Sequence, residues 1–278
     1  MAAKIINGMD IAVGIQKDIK AQVAKLKKDK LPLPGLAIIV VESPRARKNI
    51  AELKKRLCDA AGIACQVHTL HALTSQLEVI ELVEQLNKDP KVTGINIHPM
   101  PTHIDYQAVV RTLDPQKDVE GVHPHNLGDF LIGEKRYIPF TPRGVIKIIE
   151  STGMDIEGKR VVIVGRSAHT GLPIGYLLLE RNATVSFAHS RSWYLDELTR
   201  KADILVVATG HPEMINGSMV KPGALVIDIG SNLVGHHLVG DVEHASVSQV
   251  ADWITAVPGG VGPMTNTMLL MNLLECCN

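Results

Sequence analysis

The sequence has no excess of charge of either sign, because 29 Lys and Arg residues balance 29 Asp and Glu residues. Without a net field to draw the molecule to a polyanion, a general nucleic-acid or membrane-surface binder is disfavoured. Long apolar runs are absent too, since stretches such as 36–41 and 161–164 are far shorter than the roughly 18 residues of a membrane-spanning helix. The first residues lack the apolar stretch of a secretory signal. We therefore expect a cytoplasmic protein without nucleic-acid or membrane partners.

Cysteine is scarce and carries no metal-binding spacing. The four cysteines of the 278-residue chain include no Cys-x-x-Cys pair, so they form neither a disulfide scaffold nor a zinc knuckle. The closest histidine pairs, His123-x-His125 and His236-His237, lack a third ligand at a zinc spacing. We expect free thiols and no metal. The cysteines are Cys58, Cys65, Cys276 and Cys277.

What the sequence does contain is an alternation of strand-like and helix-like segments. The first half predicts helix 9–28, strand 36–41, helix 46–61, strand 63–69, helix 74–88 and strand 92–97. After a Pro- and Gly-rich passage, the second half predicts helix 143–151, strands 160–165, 183–187, 203–208 and 224–229, and a last helix, 264–275. Strands separated by helices indicate parallel sheets. The prediction is an α/β protein of two domains, the second a Rossmann-like, doubly wound sheet.

One strand of the second half runs into a glycine-rich turn and then an apolar helix. The strand ends at Gly165, the turn contains Arg166 and Ser167, and Gly171 and Pro173 begin the helix. Free N–H groups and the dipole of a helix N-terminus bind a pyrophosphate in this architecture. The spacing differs from Gly-x-Gly-x-x-Gly, and a tight turn between strand and helix needs glycine for backbone reasons alone. A nucleotide site and a structural turn are both compatible with the pattern.

The end of the next strand favours NADP over NAD as the nucleotide. An NAD-binding sheet carries an acidic residue there, which holds the ribose 2′-hydroxyl, whereas this chain has His189, Ser190 and Arg191. Together with Arg166, Ser190 and Arg191 can bind a 2′-phosphate through charge-assisted hydrogen bonds. The alternative reading of Arg191 is a solvated loop cation.

Several motifs in the same order resemble the bifunctional methylenetetrahydrofolate dehydrogenase/methenyltetrahydrofolate cyclohydrolase family. The resemblance covers essentially the whole chain and is carried above all by the loop at 258–265. The other motifs are Lys117-Asp118-Val119-Glu120-Gly121, Pro139-Phe140-Thr141-Pro142, Gly165-Arg166-Ser167 with Gly171 and Pro173, 220–223, 226–230 and Gly240-Asp241-Val242.

The resemblance implies a folate-binding domain and an NADP-binding domain with a cleft between them, in a homodimer. We assign residues 1–142, with the last helix 264–278 returning, to the substrate domain and residues 143–263 to the NADP domain. The expected reaction oxidises 5,10-methylenetetrahydrofolate to the methenyl form and then hydrolyses it. The loop residues Gly259, Gly260 and Pro263 are expected beside the substrate, although glycine also suits a simple helix-entry turn. The expected cofactor rim further includes Thr141, Gly210, Asp228 and Gly230.

The substrate side departs from the family pattern at its catalytic lysine. Lys54 matches that lysine, but Ile50 stands where the family has a tyrosine, one helical turn earlier. Residues four apart share a helix face, so Lys54 can still point into the pocket while it loses the neighbouring hydroxyl. The alternative is a solvated cation among Lys48, Lys55 and Arg56.

Three further departures lie on the same side. His98 stands in for a glutamine ahead of Pro99 and Pro101, in a segment one residue shorter than in the family, and it either lines the pocket or simply ends its strand. Glu120 replaces an aspartate that binds the pterin ring, which moves the carboxylate outward by one methylene. The loop at 42–47 lacks the usual glycine and serine.

The leading hypothesis is an NADP-dependent methylenetetrahydrofolate dehydrogenase in which the cyclohydrolase step is impaired or rerouted. Lys54, His98 and Glu120 are its expected catalytic residues. One alternative is a catalytically impaired paralogue that binds a nucleotide or pterin and a protein partner. Another is a dehydrogenase of a related one-carbon carrier.

Overall fold

The chain folds into two compact units, each assembled from separate parts of the sequence. The computed structural model describes residues 2–42, 48–134 and 136–276. The six-stranded unit comprises Met1–Val13 and Thr141–Thr265, and the three-stranded unit comprises Gly14–Phe140 and Asn266–Asn278. Among the described residues, no helix has the length and apolar character needed to cross a bilayer.

The three-stranded unit is a parallel sheet covered by helices. Its sheet has the strand order β3-β2-β4. The elements of this part of the chain are α1 (Gly8–Lys28, which starts in the other unit), β2 (Gly35–Val41), α2 (Lys48–Ala61), β3 (Ala64–Leu70), α3 (Gln76–Lys88), β4 (Gly94–Ile97), α4 (Tyr106–Thr112) and α5 (Pro124–Leu131).

The central strand β2 is buried along all seven residues, which explains its unbroken apolar sequence. Successive side chains point to opposite faces of the sheet and enter two separate cores. Ala37, Ile39 and Val41 pack into one core. Leu36, Ile38 and Val40 pack into the other. The carboxyl ends of β2 and β4 therefore have a rigid base.

The six-stranded unit is a parallel sheet in the order β1-β11-β8-β7-β5-β6. Neighbouring strands β5 and β7 mark the point where the chain changes direction across the sheet, and ligands of such sheets bind at the carboxyl ends beside that point. The elements are β1 (Lys4–Ile6), α6 (Phe140–Ser151), β5 (Arg160–Val164), α7 (Gly171–Leu179), β6 (Thr184–Ala188), α8 (Leu195–Thr199), β7 (Ile204–Val207), β8 (Leu225–Asp228), β9 (Asn232–Val234), β10 (His237–Val239), α9 (His244–Val247), β11 (Trp253–Thr255) and α10 (Val261–Glu275).

The α/β prediction is confirmed, and most predicted elements lie within three residues of their observed bounds. The predicted start of helix 46–61 lies outside the described residues. Strands β1 and β11, the hairpin β9–β10 and the short helices α4 and α5 are absent from the prediction. Each of these strands has only three residues, which is too short to show a period of two.

Candidate active site

Lys54 lies inside the three-stranded unit and is not a surface cation. It is only 6% exposed, because α2 packs against β2 and β3 with this face inward. Its Nζ donates to Asn96 Oδ1 at 2.6 Å and lies 3.4 Å from His98 Nε2. The ring of Phe140 is 5.7 Å from the same nitrogen, within the range of a cation–π contact.

Burial changes the proton affinity of this cluster. It lowers the pKa of Lys54, and the negative charge of Glu120 partly restores it. Burial, followed by the Lys54 ammonium, lowers the pKa of His98 to about 3. His98 is therefore neutral near pH 7 and cannot shuttle protons as an imidazolium. With Lys54 protonated, its Nε2 is an acceptor for the ammonium.

Glu120 provides the negative charge of the site. Burial raises the pKa of its carboxyl group to about 7, against the opposing attraction of Lys54. The carboxyl group thus changes charge in the range where an enzyme of neutral pH works. A partly charged acid opposite a lysine of lowered pKa is a pair suited to moving protons.

These side chains line a cavity of about 300 Å³. Ile50 contributes a half-buried apolar wall, and Pro99 an exposed rim. Pro101 is half-buried beyond this rim. Residues 43–47, which include most of the altered loop after β2, lie outside the described residues. The full lining is Ile50, Lys54, Asn96, Ile97, His98, Pro99, Glu120 and Phe140.

The Lys-Asp-Val-Glu-Gly motif divides into structural and functional residues. Lys117 donates to the carbonyls of Leu86, Asn87 and Asp89, and so closes the C-terminus of α3. Asp118 accepts bonds from the backbone of 120, 121 and 123 and from the Asn126 side chain. Two members of the motif therefore hold the loop, and Glu120 alone faces the cavity.

The glycine-rich turn of the six-stranded unit is required by close backbone contact. Gly165 has φ +132°, and a Cβ there would lie 2.4 Å from the Ala208 carbonyl oxygen. A Cβ on Gly171 would lie 2.5 Å from the Gly165 carbonyl oxygen. Pro173 is buried in the first turn of α7, while Arg166 and Ser167 are exposed. The turn thus exposes a helix N-terminus next to a cation, an arrangement that suits a pyrophosphate.

The loops after β7 and β8 complete a second cavity, of about 240 Å³, with this turn. Gly210, with φ +70°, and Gly230 lie on its rim. Its lining is Ser167, Thr170, Ala208, Gly210, Ile229, Gly230, Ser231, Asn232 and Asp241. The cavity sits at the carboxyl ends of three strands, where the sheet topology predicts a ligand.

Two buried aspartates hold this rim together from inside. Asp228 is 3% exposed, and its carboxylate accepts backbone bonds from Gly230, Asp241 and Val242. Burial nevertheless raises its pKa to about 6. Asp241 in turn accepts from the backbone of Thr209 and Gly210. Asp228 therefore supports the rim through the backbone and does not project into the cavity.

The residues after β6 form an exposed loop. His189 Nδ1 accepts from the Arg191 backbone N–H at 3.1 Å, and the His189 N–H donates to the Ser192 hydroxyl. The side chains of Ser190 and Arg191 are exposed, and no carboxylate follows the strand before position 196. The loop is shaped by its own hydrogen bonds and presents the exposed side chain of Arg191.

The loop before α10 contacts the start of the chain. A Cβ on Gly8 would lie 1.9 Å from the Gly260 carbonyl oxygen, and the Met9 N–H donates to the Gly259 carbonyl. Gly259 has φ +108°. Pro263 lies in the first turn of α10, and the hydroxyls of Thr141 and Thr265 are 3.3 Å apart. Close packing against this loop is thus the reason for Gly8, whereas a Cβ on Gly260 would meet the Ala256 carbonyl oxygen at 2.4 Å.

Two site residues escaped the sequence analysis. Asn96 sits in a buried strand with the pattern Gly-Ile-Asn-Ile, and a polar residue in such a strand needs a partner, which was the available signal. Asp241 lay in a quoted motif without an assigned role. Its function appears only when β8 and the loop before α9 are brought together.

The sequence matches two family models. Residues 6–120 match the catalytic domain of tetrahydrofolate dehydrogenase/cyclohydrolase, and residues 139–278 match its NAD(P)-binding domain. The bifunctional protein FolD of Acetivibrio thermocellus is 47% identical over 99% of this chain and 97% of its own. The FolD of Moorella thermoacetica is 46% identical over 99% of each chain.

Solved structures agree with these matches. The bifunctional dehydrogenase/cyclohydrolase FolD of Campylobacter jejuni has a TM-score of 0.95 and 36% identity, with 99% of both chains covered. The FolD of Trypanosoma brucei, solved with NADP cofactor and an inhibitor, has a TM-score of 0.95 and 35% identity, covering 100% of this chain and 98% of its own. The chain therefore belongs to the tetrahydrofolate dehydrogenase/cyclohydrolase family.

Proposed function

We propose that this protein oxidises 5,10-methylenetetrahydrofolate to 5,10-methenyltetrahydrofolate with NADP and then hydrolyses the product to 10-formyltetrahydrofolate. One observation carries the proposal: Lys54 is buried and hydrogen-bonded in the cavity that also contains His98 and Glu120. Membership of a family whose relatives are bifunctional supports it. We assign the folate to the three-stranded unit and NADP to the six-stranded unit.

The dehydrogenase step does not need an acidic or basic side chain, because it transfers a hydride and no proton. When bound, NADP supplies the acceptor for the hydride that leaves the one-carbon bridge. The two flanking nitrogens of the folate stabilise the resulting cation, so the protein mainly has to hold the reactants in contact. The apolar wall of Ile50 and Phe140 keeps water from part of the cavity during this step.

The hydrolysis step needs a group that takes and returns protons. Water adds to the methenyl carbon and gives up a proton, and ring opening then delivers a proton to the departing nitrogen. Lys54 fits this role because burial favours its neutral form, which can accept the proton and later return it. His98, neutral and 3.4 Å away, can accept a hydrogen bond from the lysine in its charged form. Lys54 is the general base and acid of our mechanism.

Glu120 is proposed to bind the folate ring. Its carboxyl group lies in the same cavity as Lys54 and can accept hydrogen bonds from an amino-pyrimidine edge. The raised pKa means that a donor on the ligand would favour the ionised form and tighten the contact. The longer side chain, compared with the aspartate of the family pattern, shifts the ring by about one methylene.

The residues of the six-stranded unit fit NADP. A Cβ at Gly165 or Gly171 would meet the backbone carbonyl of Ala208 or Gly165, so these glycines let the turn pack tightly ahead of α7, and a helix N-terminus that follows such a turn suits a pyrophosphate. Arg166, Ser190 and Arg191 are the proposed 2′-phosphate ligands, and Gly210 and Gly230 line the cavity rim. Thr141 is not among the residues that line this cavity; its hydroxyl lies 3.3 Å from that of Thr265.

A two-substrate assay tests the proposal. With methylenetetrahydrofolate and NADP, we expect NADPH to form without lasting accumulation of the methenyl compound. With methenyltetrahydrofolate alone, we expect hydrolysis faster than in buffer. Absence of NADPH formation would contradict the dehydrogenase, and a build-up of methenyl product would contradict the second step.

The non-catalytic alternative is not favoured. A paralogue that only binds a ligand has no need of a buried lysine with two polar partners, because burying an ammonium is costly. Although Ile50 stands where the family has a tyrosine, Lys54 contacts Asn96 and His98, so the lysine is not left unrestrained.

A homodimer and a cytoplasmic location are further parts of the proposal. Strand β3 forms one edge of its sheet, and an edge strand can pair with another chain. Within the described residues, Cys58, Cys65 and Cys276 form no disulfide, as is usual in a reducing compartment. Light scattering on the purified protein tests the dimer.

A further inference from the structure

Asn96 occupies an unusual position in β4. It is 1% exposed, in a strand whose neighbours Ile95 and Ile97 are apolar and buried. A buried amide is costly unless both its donor and its acceptor atoms are used. Its presence at the floor of the cavity therefore needs an explanation.

The two ends of the amide meet opposite charges. Oδ1 accepts the Lys54 ammonium at 2.6 Å, a charge-assisted bond that fixes which end of the amide faces the lysine. Nδ2, the donor end, has no partner that meets hydrogen-bond geometry, yet it lies close enough to Glu120 to lower the pKa of that carboxyl group. Asn96 thus stands between the cation and the anion of the site.

Helix α2 offers Lys54 no comparable restraint. The residue one turn earlier on the same face is Ile50, which cannot accept a hydrogen bond. The polar contacts of the ammonium come from Asn96 and His98, both at the carboxyl end of β4. Strand β4 is buried along all four residues and pairs with the central strand β2, which gives Asn96 a rigid support.

We propose that Asn96 is a positioning residue that holds Lys54 by a hydrogen bond from β4, in the cavity it shares with Glu120, and so sets the geometry and charge state of the proton-transferring lysine. The inference rests on the proposed hydrolysis by Lys54 and deepens it. Asn96 does not itself transfer a proton, since an amide has no suitable pKa. It aligns the lysine from the strand, in place of a polar neighbour on the helix.

Several charged or titratable groups face Lys54 and would share in its titration. Glu120 raises the pKa of Lys54, and so do Cys58 on α2 and Cys65 on β3. Asp118 acts on it indirectly, because its charge raises the pKa of Glu120, and the charge of Glu120 also helps to raise the pKa of Tyr106. A test must therefore change Asn96 while it leaves these groups in place.

Two substitutions of nearly the same size should shift the pKa of Lys54 in opposite directions. Asn96→Leu removes the acceptor, so the charged form of Lys54 loses support and its pKa falls further. Asn96→Asp keeps an acceptor and adds negative charge, so the pKa of Lys54 rises. We expect the rising limb of the pH profile of methenyl hydrolysis to move to lower pH in the first variant and to higher pH in the second.

The rates should separate the two reactions. Because the lysine is misplaced in Asn96→Leu, we expect hydrolysis at neutral pH to fall about a hundredfold. The rate of NADP reduction should fall by no more than about tenfold. Asn87→Leu is the matched control, because it removes a half-buried amide that bonds to Thr112 and Asp114 outside the cavity. Asn87→Leu should leave the pH profile of methenyl hydrolysis unchanged.

A direct titration completes the test without turnover. The 13Cε signal of Lys54, assigned by its loss in Lys54→Met, reports the pKa in each variant. Opposite shifts in the Leu and Asp variants support the proposal. Equal loss of both activities with an unmoved titration would overturn it and leave Asn96 a packing residue. If wild-type protein turned over neither folate, the proposed function would fail, while the titration would still decide whether Asn96 controls the lysine.

Discussion

The two cavities of this protein are built from different materials. The cavity of the six-stranded unit is shaped by backbone, through glycines whose Cβ atoms would collide with carbonyl oxygens and through aspartates that hold N–H groups. The cavity of the three-stranded unit is shaped by side chains, above all Lys54, Asn96 and Glu120. The first cavity therefore tolerates few substitutions at its glycines, whereas in the second the ammonium of Lys54 is held from β4 and not from its own helix.

The largest effect should follow from removing the proton-transferring group. In Lys54→Met, hydrolysis of methenyltetrahydrofolate should fall by about 10²–10⁴-fold, the usual contribution of a general acid–base group, while NADPH formation stays within about tenfold. Stopped-flow absorbance of the methenyl compound measures both. Lys55→Met is the control, since Lys55 is exposed and pairs with Asp59 at 2.8 Å. If Lys54→Met still hydrolysed methenyltetrahydrofolate at the wild-type rate, the claim that side chains perform the chemistry of this cavity would be wrong.

Adding a single methyl group tests whether backbone packing shapes the cavity of the six-stranded unit. In Gly171→Ala the new Cβ would meet the Gly165 carbonyl at 2.5 Å, so the turn must shift, and we expect NADP affinity to drop by about a hundredfold. Hydrolysis of methenyltetrahydrofolate, which needs no NADP, should be unchanged. Calorimetry with NADP gives the affinity.

Gly14→Ala is the matched control for that substitution. No atom lies within 4 Å of its Cβ position in the exposed middle of α1, so we expect a gain of about 0.5–1 kcal/mol in unfolding free energy and unchanged NADP binding. If Gly171→Ala bound NADP as tightly as this control, the backbone account would be wrong.

The choice between NADP and NAD should depend on one exposed side chain. Arg191→Ala should weaken NADP binding by roughly tenfold to a hundredfold, because a hydrogen bond to a charged group contributes about 1.5–3 kcal/mol. Binding of NAD, which lacks the 2′-phosphate, should not change. Arg200→Ala, which removes an exposed arginine paired with Asp196 at 2.6 Å, serves as control. Equal losses for NAD and NADP would make Arg191 a general contact.

The smallest effect concerns the stability of the side-chain cavity. The pKa of Glu120 is raised to about 7 from an ordinary value of 4.5, so the folded protein binds a proton that the unfolded chain has released. The unfolding free energy of the wild type should therefore fall as pH rises between these values, relative to Glu120→Gln, by about 1–2 kcal/mol.

Urea unfolding at pH 5 and pH 8 measures this difference. Glu81→Gln, an exposed position on α3, should run parallel to the wild type. If the unfolding free energy of Glu120→Gln changed with pH as that of the wild type does, the pKa of Glu120 would not be raised by burial.

The same contrast explains what could be predicted from the sequence. Gly165 and Gly171 indicate a tight turn between strand and helix, because a Cβ at either position would meet a backbone carbonyl oxygen, and the unbroken apolar sequence of β2 indicates a buried strand. Strands β1 and β11 carry no such signal, because three residues show no period and their pairing joins positions far apart in the chain. Asn96 could not be assigned because its partner, Lys54, comes from another element. The change at Ile50 read alone suggests lost function, whereas the folded site shows that Lys54 keeps a hydrogen-bond partner in Asn96.

Strand β1 has a consequence for how the chain is made. It pairs with β11, near residue 254, and the other unit likewise contains a segment from the end of the chain, beginning at Asn266. At a synthesis rate of about 5–20 residues per second, an emerging polypeptide must wait more than ten seconds before either unit can close. Until residues 253–274 have been made, β1 has no partner strand and the core formed by α1, α2 and β2 lacks the leucines of α10. We expect the nascent protein to depend most on chaperones during this interval.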